Sequence, residues 1–145
     1  MDASALLASA TADRPEWAVA LADLNRRGPL RAPARLASEA GNVIHRKRPA
    51  GLGADRAERG LILERLLAPV DLVPTEAGLR RHAGELAEAH GLSFYDAEYL
   101  ALAKRDEAAL VTQDGKLAKV AAKVLGARRV LDLDNLRRHL SASAA

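Results

Sequence analysis

Residues 92–124, LSFYDAEYLALAKRDEAALVTQDGKLAKVAAKV, hold a helix, a strand and a second helix, and set one acid at each junction: Asp96 where the first helix begins, Asp114 where the strand ends. At the first junction Gly91 permits the left-handed backbone that closes a preceding helix, Ser93 is placed as N-cap, and Asp96 follows as an N3 residue. This is a capping box with Asp in place of Glu, which by itself explains Asp96 as scaffolding. The partial positive charge at a helix start also favours the ionised acid, which can hold a cation. At the second junction Ala108–Thr112 reads AALVT, a short apolar run that turns through Gln113-Asp114-Gly115 into the amphipathic run Leu117, Val120, Ala121, Val124. Ligands of open parallel sheets gather at the carboxyl ends of strands, and Thr112 and Asp114 stand at such an end. Asp114 is equally placed to cap the helix that follows, and the two roles are compatible.

The whole chain bounds what these junctions serve. Its 145 residues suit one domain, with 49% hydrophobic residues for a core. That core is aliphatic, because Trp17, Phe94, Tyr95 and Tyr99 are the only aromatics. So few rings argue against recognition of single strands by base stacking. The absence of cysteine excludes a disulfide scaffold, a thiolate metal site and a cysteine nucleophile, and suits a reducing interior, so the expected location is cytoplasmic. No apolar run approaches the ~18 residues of a membrane span, and no basic-then-apolar leader opens the chain. A net charge of +3 permits nucleic-acid binding without requiring it.

Along the chain, Asp2 begins as an acid near a loose end. Asp13 to Arg27 reads as a helix capped by Asp13, with Pro15 in its first turn, Trp17, Leu21 and Leu24 on one face and Gly28 as its stop. Leu30 to Ala32 suits a short strand, and Pro33 is placed to open a helix through ARLASEAGNVIHRKR. There Leu36, Ala40, Val43 and Ile44 form the buried stripe, and Glu39 and Asn42, three apart, look the same way. HRKR, His45 to Arg48, complements the negative helix end and is also the best phosphate-facing patch. Gly51-Leu52-Gly53 lacks the remaining elements of a nucleotide loop. Ala54 to Leu67 reads as a helix, Val70 to Val73 as a strand, and Thr75 as the cap of a helix reaching His90. His82 and His90 have no second ligand at metal spacing. Arg128 to Leu133 reads as a last strand, followed by a helix capped by Asp134. The alternation predicts one α/β domain over residues 1–140 with a mostly parallel sheet, and a frayed tail over 141–145.

Asp2, Glu39, Asp96 and Asp114 together, with no Cys or His among them, have the chemistry of a hard-cation site for Mg²⁺ or Mn²⁺ rather than zinc or copper. Such ions bind phosphate oxygens, which makes phosphodiester hydrolysis the natural chemistry.

At this point the motifs resemble a family. DASALL near the start, SEAGNVI in the middle, LSFYDAEYLALA and LVTQDGKLAKVA are similar to the successive motifs of PIN-domain ribonucleases, specifically the VapC-type toxins of toxin–antitoxin pairs. The resemblance runs from Asp2 to about Leu133. It implies a three-layer α/β/α sandwich and Mg²⁺- or Mn²⁺-dependent endonucleolytic cleavage of RNA. Asp2, Glu39, Asp96 and Asp114 would then be the catalytic, metal-binding set, with the hydroxyls of Ser4 and Thr112, and Asn42, supporting them. Arg46, Lys47, Arg48 and Lys116 are the basic residues placed to hold an RNA strand. Such toxins pair as homodimers and are restrained by a VapB-like antitoxin, whose arginine could meet the carboxylates bidentately. The chain departs from the family in one respect: only Met1 precedes Asp2, where a hydrophobic strand central to the sheet is expected, so the first strand reads as truncated. Two other readings compete. One is a non-catalytic PIN-like module that binds RNA or protein, and the other is a PIN nuclease working outside a toxin pair.

Overall fold

The computed structural model describes residues 1–11 and 15–142, with no side chains described at 133 and 134. In chain order the elements are α1 (Ala3–Ala8), α2 (Pro15–Arg27), β1 (Leu30–Pro33), α3 (Leu36–Asn42), α4 (Arg56–Leu67), β2 (Val70–Val73), α5 (Ala77–His90), α6 (Phe94–Arg105), β3 (Leu110–Val111), α7 (Gly115–Leu125), β4 (Val130–Leu131) and α8 (Leu133–Ala142). One π-helical turn, Val43–Lys47, prolongs α3, and a 3₁₀ turn, Ala127–Arg129, leads into β4. This is the α/β sandwich with parallel pairing that the alternation of patterns predicts.

The strands form two parallel pairs, β1 with β2 from Leu30 opposite Val70 to Pro33 opposite Val73, and β3 with β4 from Leu110 opposite Val130 to Val111 opposite Leu131. Met1 and Asp2 join the pairs. The Met1 amino nitrogen donates to the Arg31 carbonyl at 3.1 Å, and the Asp2 amide donates to the Val111 carbonyl at 3.0 Å. Two residues thus bridge the strand pairs, and burial lowers the pKa of the Met1 amine to about 6. A cavity of about 240 Å³ lies beside this seam, with Met1, Leu30, Leu102, Val111 and Leu131 in its wall.

Helix α6 packs against both β1 and β3, and α5 packs on α6. Seven consecutive residues of α6, Ala97 to Ala103, are buried, as expected of a helix enclosed on all sides. Trp17 is fully buried in the core. By contrast α4 buries no residue completely, and Leu61 is 59% exposed.

Several boundaries differ from the expected ones, each for a local reason. Pro33 ends β1 instead of opening a helix, and α3 starts at Leu36; with no amide hydrogen to donate, proline is tolerated at a strand end. Val43, placed by its periodicity in the buried stripe, is only half-buried, because the backbone widens into the π turn there. Thr75 does not cap α5: the cap position is Glu76, and the Thr75 carbonyl instead accepts from the Arg80 guanidinium. Asp134 falls inside α8, and the Asp132 carboxylate takes the Asn135 amide at 2.8 Å as its cap. The helix runs on to Ala142, so Ser141 and Ala142 are helical; residues 143–145 and the proposed cap Asp13 lie outside the described residues.

Candidate active site

Asp2 is held at the junction of the two strand pairs. Its side chain is only 4% exposed, and its Oδ1 caps α1 by accepting the Ala5 amide at 3.0 Å. Ser4 Oγ donates to the same oxygen at 2.7 Å, and the Thr112 hydroxyl donates a short bond to Oδ2. Ser4 Oγ accepts from the Gln113 amide at 2.9 Å, and Thr112 Oγ1 accepts from the Asp114 amide at 3.0 Å. A chain of bonds therefore runs from the first acid through two hydroxyls to the end of β3. The loose acidic tip expected of Asp2 is corrected: cap, hydroxyls and strand pairing fix it.

Asp96 and Asp114 both take the capping roles weighed for them. The Asp96 amide donates to Ser93 Oγ at 3.1 Å, and Ser93 Oγ donates to Asp96 Oδ2 at 2.8 Å, so the capping box closes through the hydroxyl. Gly91 adopts φ 61° at the C-terminus of α5, which lets the chain reverse into Ser93. Asp114 Oδ1 accepts the Leu117 amide at 2.8 Å as the cap of α7, and its side chain stays exposed.

Glu39 faces the same region from α3, but Arg35 reaches it first. Arg35 Nε lies 2.5 Å from Glu39 Oε1, and Arg35 Nη1 lies 2.9 Å from Glu98 Oε2. Its guanidinium carbon sits 3.7 Å from the centroid of the Tyr95 ring.

The electrostatics show which acids share a field. Burial raises the pKa of Asp2 above its ordinary 3.8, against the opposing hydrogen bonds from Thr112, Ala5 and Ser4. Burial also raises Glu39 above its ordinary 4.5; Arg35 pulls it down, and the charge of Asp96 pushes it further up. The hydroxyl of Tyr99, buried in the core, is driven upward by burial first and then by the charges of Glu39 and Asp2. It closes no hydrogen bond of ordinary geometry to Glu39 despite this proximity. Tyr99 therefore lies within reach of both Asp2 and Glu39, Glu39 within reach of Asp96, and Thr112 ties the Asp114 backbone to Asp2.

The other sequence candidates lie further out. Asn42 is exposed and makes no hydrogen bond to these carboxylates among the described residues. Arg46, Lys47 and Arg48 are exposed at the end of the π turn. Lys116 is exposed, with its ammonium bonded to the Gly91 carbonyl at 2.8 Å. Arg35, Glu98 and Tyr99 are the residues that sequence reasoning missed. Their signals were an arginine four before Glu39 and an acid and a tyrosine inside an otherwise apolar helix.

The donor set is all oxygen, which suits a hard divalent cation. Among the described residues no three acidic or histidine side chains close around one point, because Glu39 is turned to Arg35 and Asp114 to its helix. Mg²⁺ keeps several waters and needs only one or two direct carboxylates, so an open set fits a hydrated ion. Burial raises the pKa of Asp2 and Glu39 by disfavouring their charged forms, and a bound cation would favour those forms.

The fold is similar to that of a solved structure. The crystal structure of PAE2754 from Pyrobaculum aerophilum matches with a TM-score of 0.70 and 28% sequence identity, over 97% of this chain and 87% of that one. No curated protein matches. The family model described as the PIN domain matches residues 1–123, a span that takes in the Asp2 junction, the Glu39 helix and both acids of the Leu92–Val124 stretch. With that span matched and the sandwich in place, this chain belongs to the PIN domain family, whose fold is of nuclease type.

Proposed function

We propose that the chain is a Mg²⁺- or Mn²⁺-dependent endoribonuclease and the toxin of a VapB–VapC-type pair. The observation that carries this reading is the buried Asp2 carboxylate, clamped by Ser4 and Thr112 at the carboxyl end of β3, with Tyr99 between its charge and that of Glu39. Asp2, Glu39, Asp96 and Asp114 would hold the ion. When bound, it supplies Lewis acidity toward an attacking water and the leaving oxygen of the phosphodiester. Ser4 and Thr112 keep Asp2 oriented. Ser93 does the same for Asp96. The exposed Arg46, Lys47 and Arg48 lie about two turns beyond Glu39 and would track the RNA backbone. A homodimer and a VapB-like antitoxin complete the reading, the antitoxin supplying an arginine to the exposed acids.

A second reading, a non-catalytic PIN module that binds RNA or protein, draws on Arg35, which already neutralises Glu39. Cleavage of a labelled RNA pool in Mn²⁺ separates the two. The nuclease cuts in Mn²⁺, stops with EDTA, and loses its cutting in both Asp96→Asn and Asp114→Asn. RNA binding without cleavage in any metal would establish the module instead. Co-expression with a small protein encoded beside the chain tests the toxin role: such a pair should co-purify and the cutting should be suppressed.

A further inference from the structure

Of the four aromatic side chains, Trp17 and Tyr99 are buried, while Phe94 is 41% and Tyr95 60% exposed. The two exposed rings are consecutive in the first turn of α6, immediately ahead of Asp96. The fold gives them no buried position, since the enclosed part of α6 begins at Ala97, and the capping of the helix is done by Ser93. Leaving large rings in water forgoes the gain of burying them.

The Tyr95 ring is also backed. Arg35 stands 3.7 Å from its centroid, and the guanidinium is fixed in turn by Glu39 and Glu98. The side chain most free to swing in water is thus steadied against a cation that two carboxylates anchor. Lys116, bonded to the Gly91 carbonyl in the connection that enters α6, adds an ammonium group on the approach. Carboxylates for an ion, a steadied ring with flat exposed area and flanking cations complement the three parts of a nucleotide: phosphate, base and backbone charge. Stacking on an aromatic ring tolerates any base, because every base has a flat π face.

We propose that Tyr95, backed by Arg35 and flanked by Phe94, is a stacking platform for one unpaired nucleobase of a single-stranded RNA, beside the phosphodiester that the acids address. This rests on the reading of the site as an RNA phosphodiesterase. Tyr95 would be a specificity-determining residue, acting on where the strand is seated and not on the bond-breaking itself.

The test uses the full chain and fluorescent single-stranded oligoribonucleotides in Ca²⁺, with a single abasic ribose stepped along the strand. Wild-type protein is expected to lose about tenfold in affinity when the abasic position reaches the platform. Tyr95→Phe should keep that position-specific loss. Tyr95→Ala and Tyr95→Leu should bind the intact strand about tenfold more weakly and be indifferent to the abasic position, with melting temperatures checked to be near wild type. If the abasic penalty persists undiminished in Tyr95→Ala, or if wild type shows no such penalty, the platform is overturned while cleavage can still stand. Failure of the wild-type chain to bind or cut any RNA overturns both readings together. Retained RNA binding in Tyr95→Ala with loss of a co-purifying protein would reassign the rings to a protein contact.

Discussion

At the scale of single residues, Asp2 shows how the site is set against the fold. Burial lifts its pKa above the ordinary carboxyl value. A carboxyl that binds its proton more tightly in the folded state contributes stability that is present at low pH and lost as pH rises through the folded pKa. At neutral pH the ionised acid is therefore a cost to the metal-free protein. Asp2→Asn, whose amide oxygen can still cap α1 but whose amide nitrogen cannot accept from Thr112, is expected to flatten the fall in melting temperature that the wild type shows as pH rises through the folded pKa. The same variant should lose the upward shift that Mn²⁺ gives the wild type, and calorimetry with and without Mn²⁺ reads both effects. Because Glu39 is also raised above 4.5, the acid limb of the cleavage rate should lie above that pH and move down as Mn²⁺ is increased. Arg35 has the opposite balance. Arg35→Met leaves Glu98, whose side chain is 7% exposed, without its partner, and should destabilise by about 3 kcal/mol; adding Glu98→Leu should restore most of the loss in urea unfolding.

At the scale of elements, two helix starts carry both structure and chemistry. Ser93→Ala removes the acceptor of the Asp96 amide and the donor to its carboxylate; a loss of about 1 kcal/mol is expected. Asp114→Asn separates the roles at the other start. Asparagine caps as well as aspartate, so stability should stay within about 0.5 kcal/mol of wild type, while metal-dependent cleavage falls away. These junctions were legible in the sequence because a cap is local: Gly91, Ser93 and Asp96 lie within one turn, and so do Asp114 and Leu117. The boundaries that differed were those where a local signal had a distant competitor. Pro33 can serve a helix start or a strand end, and pairing with Val73 decided for the strand. Thr75 and Asp134 are good caps by type, but the chain turned into the helix one residue after Thr75 and two before Asp134. The scarcity of aromatics argued against stacking, yet the number of rings says nothing about which face solvent.

At the scale of the molecule, the sheet is two parallel pairs joined by Met1 and Asp2, with a cavity beside the join. Two inter-strand bonds make a weak seam relative to the flanking ladders, so the Asp2 amide should exchange its hydrogen faster than the Val73 amide of β2, which faces β1. If the acids hold Mn²⁺, the ion should slow exchange at Asp2 above all, since ligand binding to the folded state suppresses local opening there; equal slowing at both amides would contradict a site centred on the seam. The alternation of helical and strand patterns, the absence of cysteine and the two acid-bearing junctions were all determined by the sequence itself, because periodicity, capping and composition act over a few residues. No helix among the described residues is long and apolar enough to cross a membrane, in line with the hydropathy of the chain. Only the tertiary structure decided that Asp2 is buried and not loose, that Arg35 occupies Glu39, and that Phe94 and Tyr95 face outward beside Asp96. Each depends on contacts between residues far apart in the chain, such as Asp2 with Thr112 and Arg35 with Glu98, and local pattern carries no record of which distant partner closes on which.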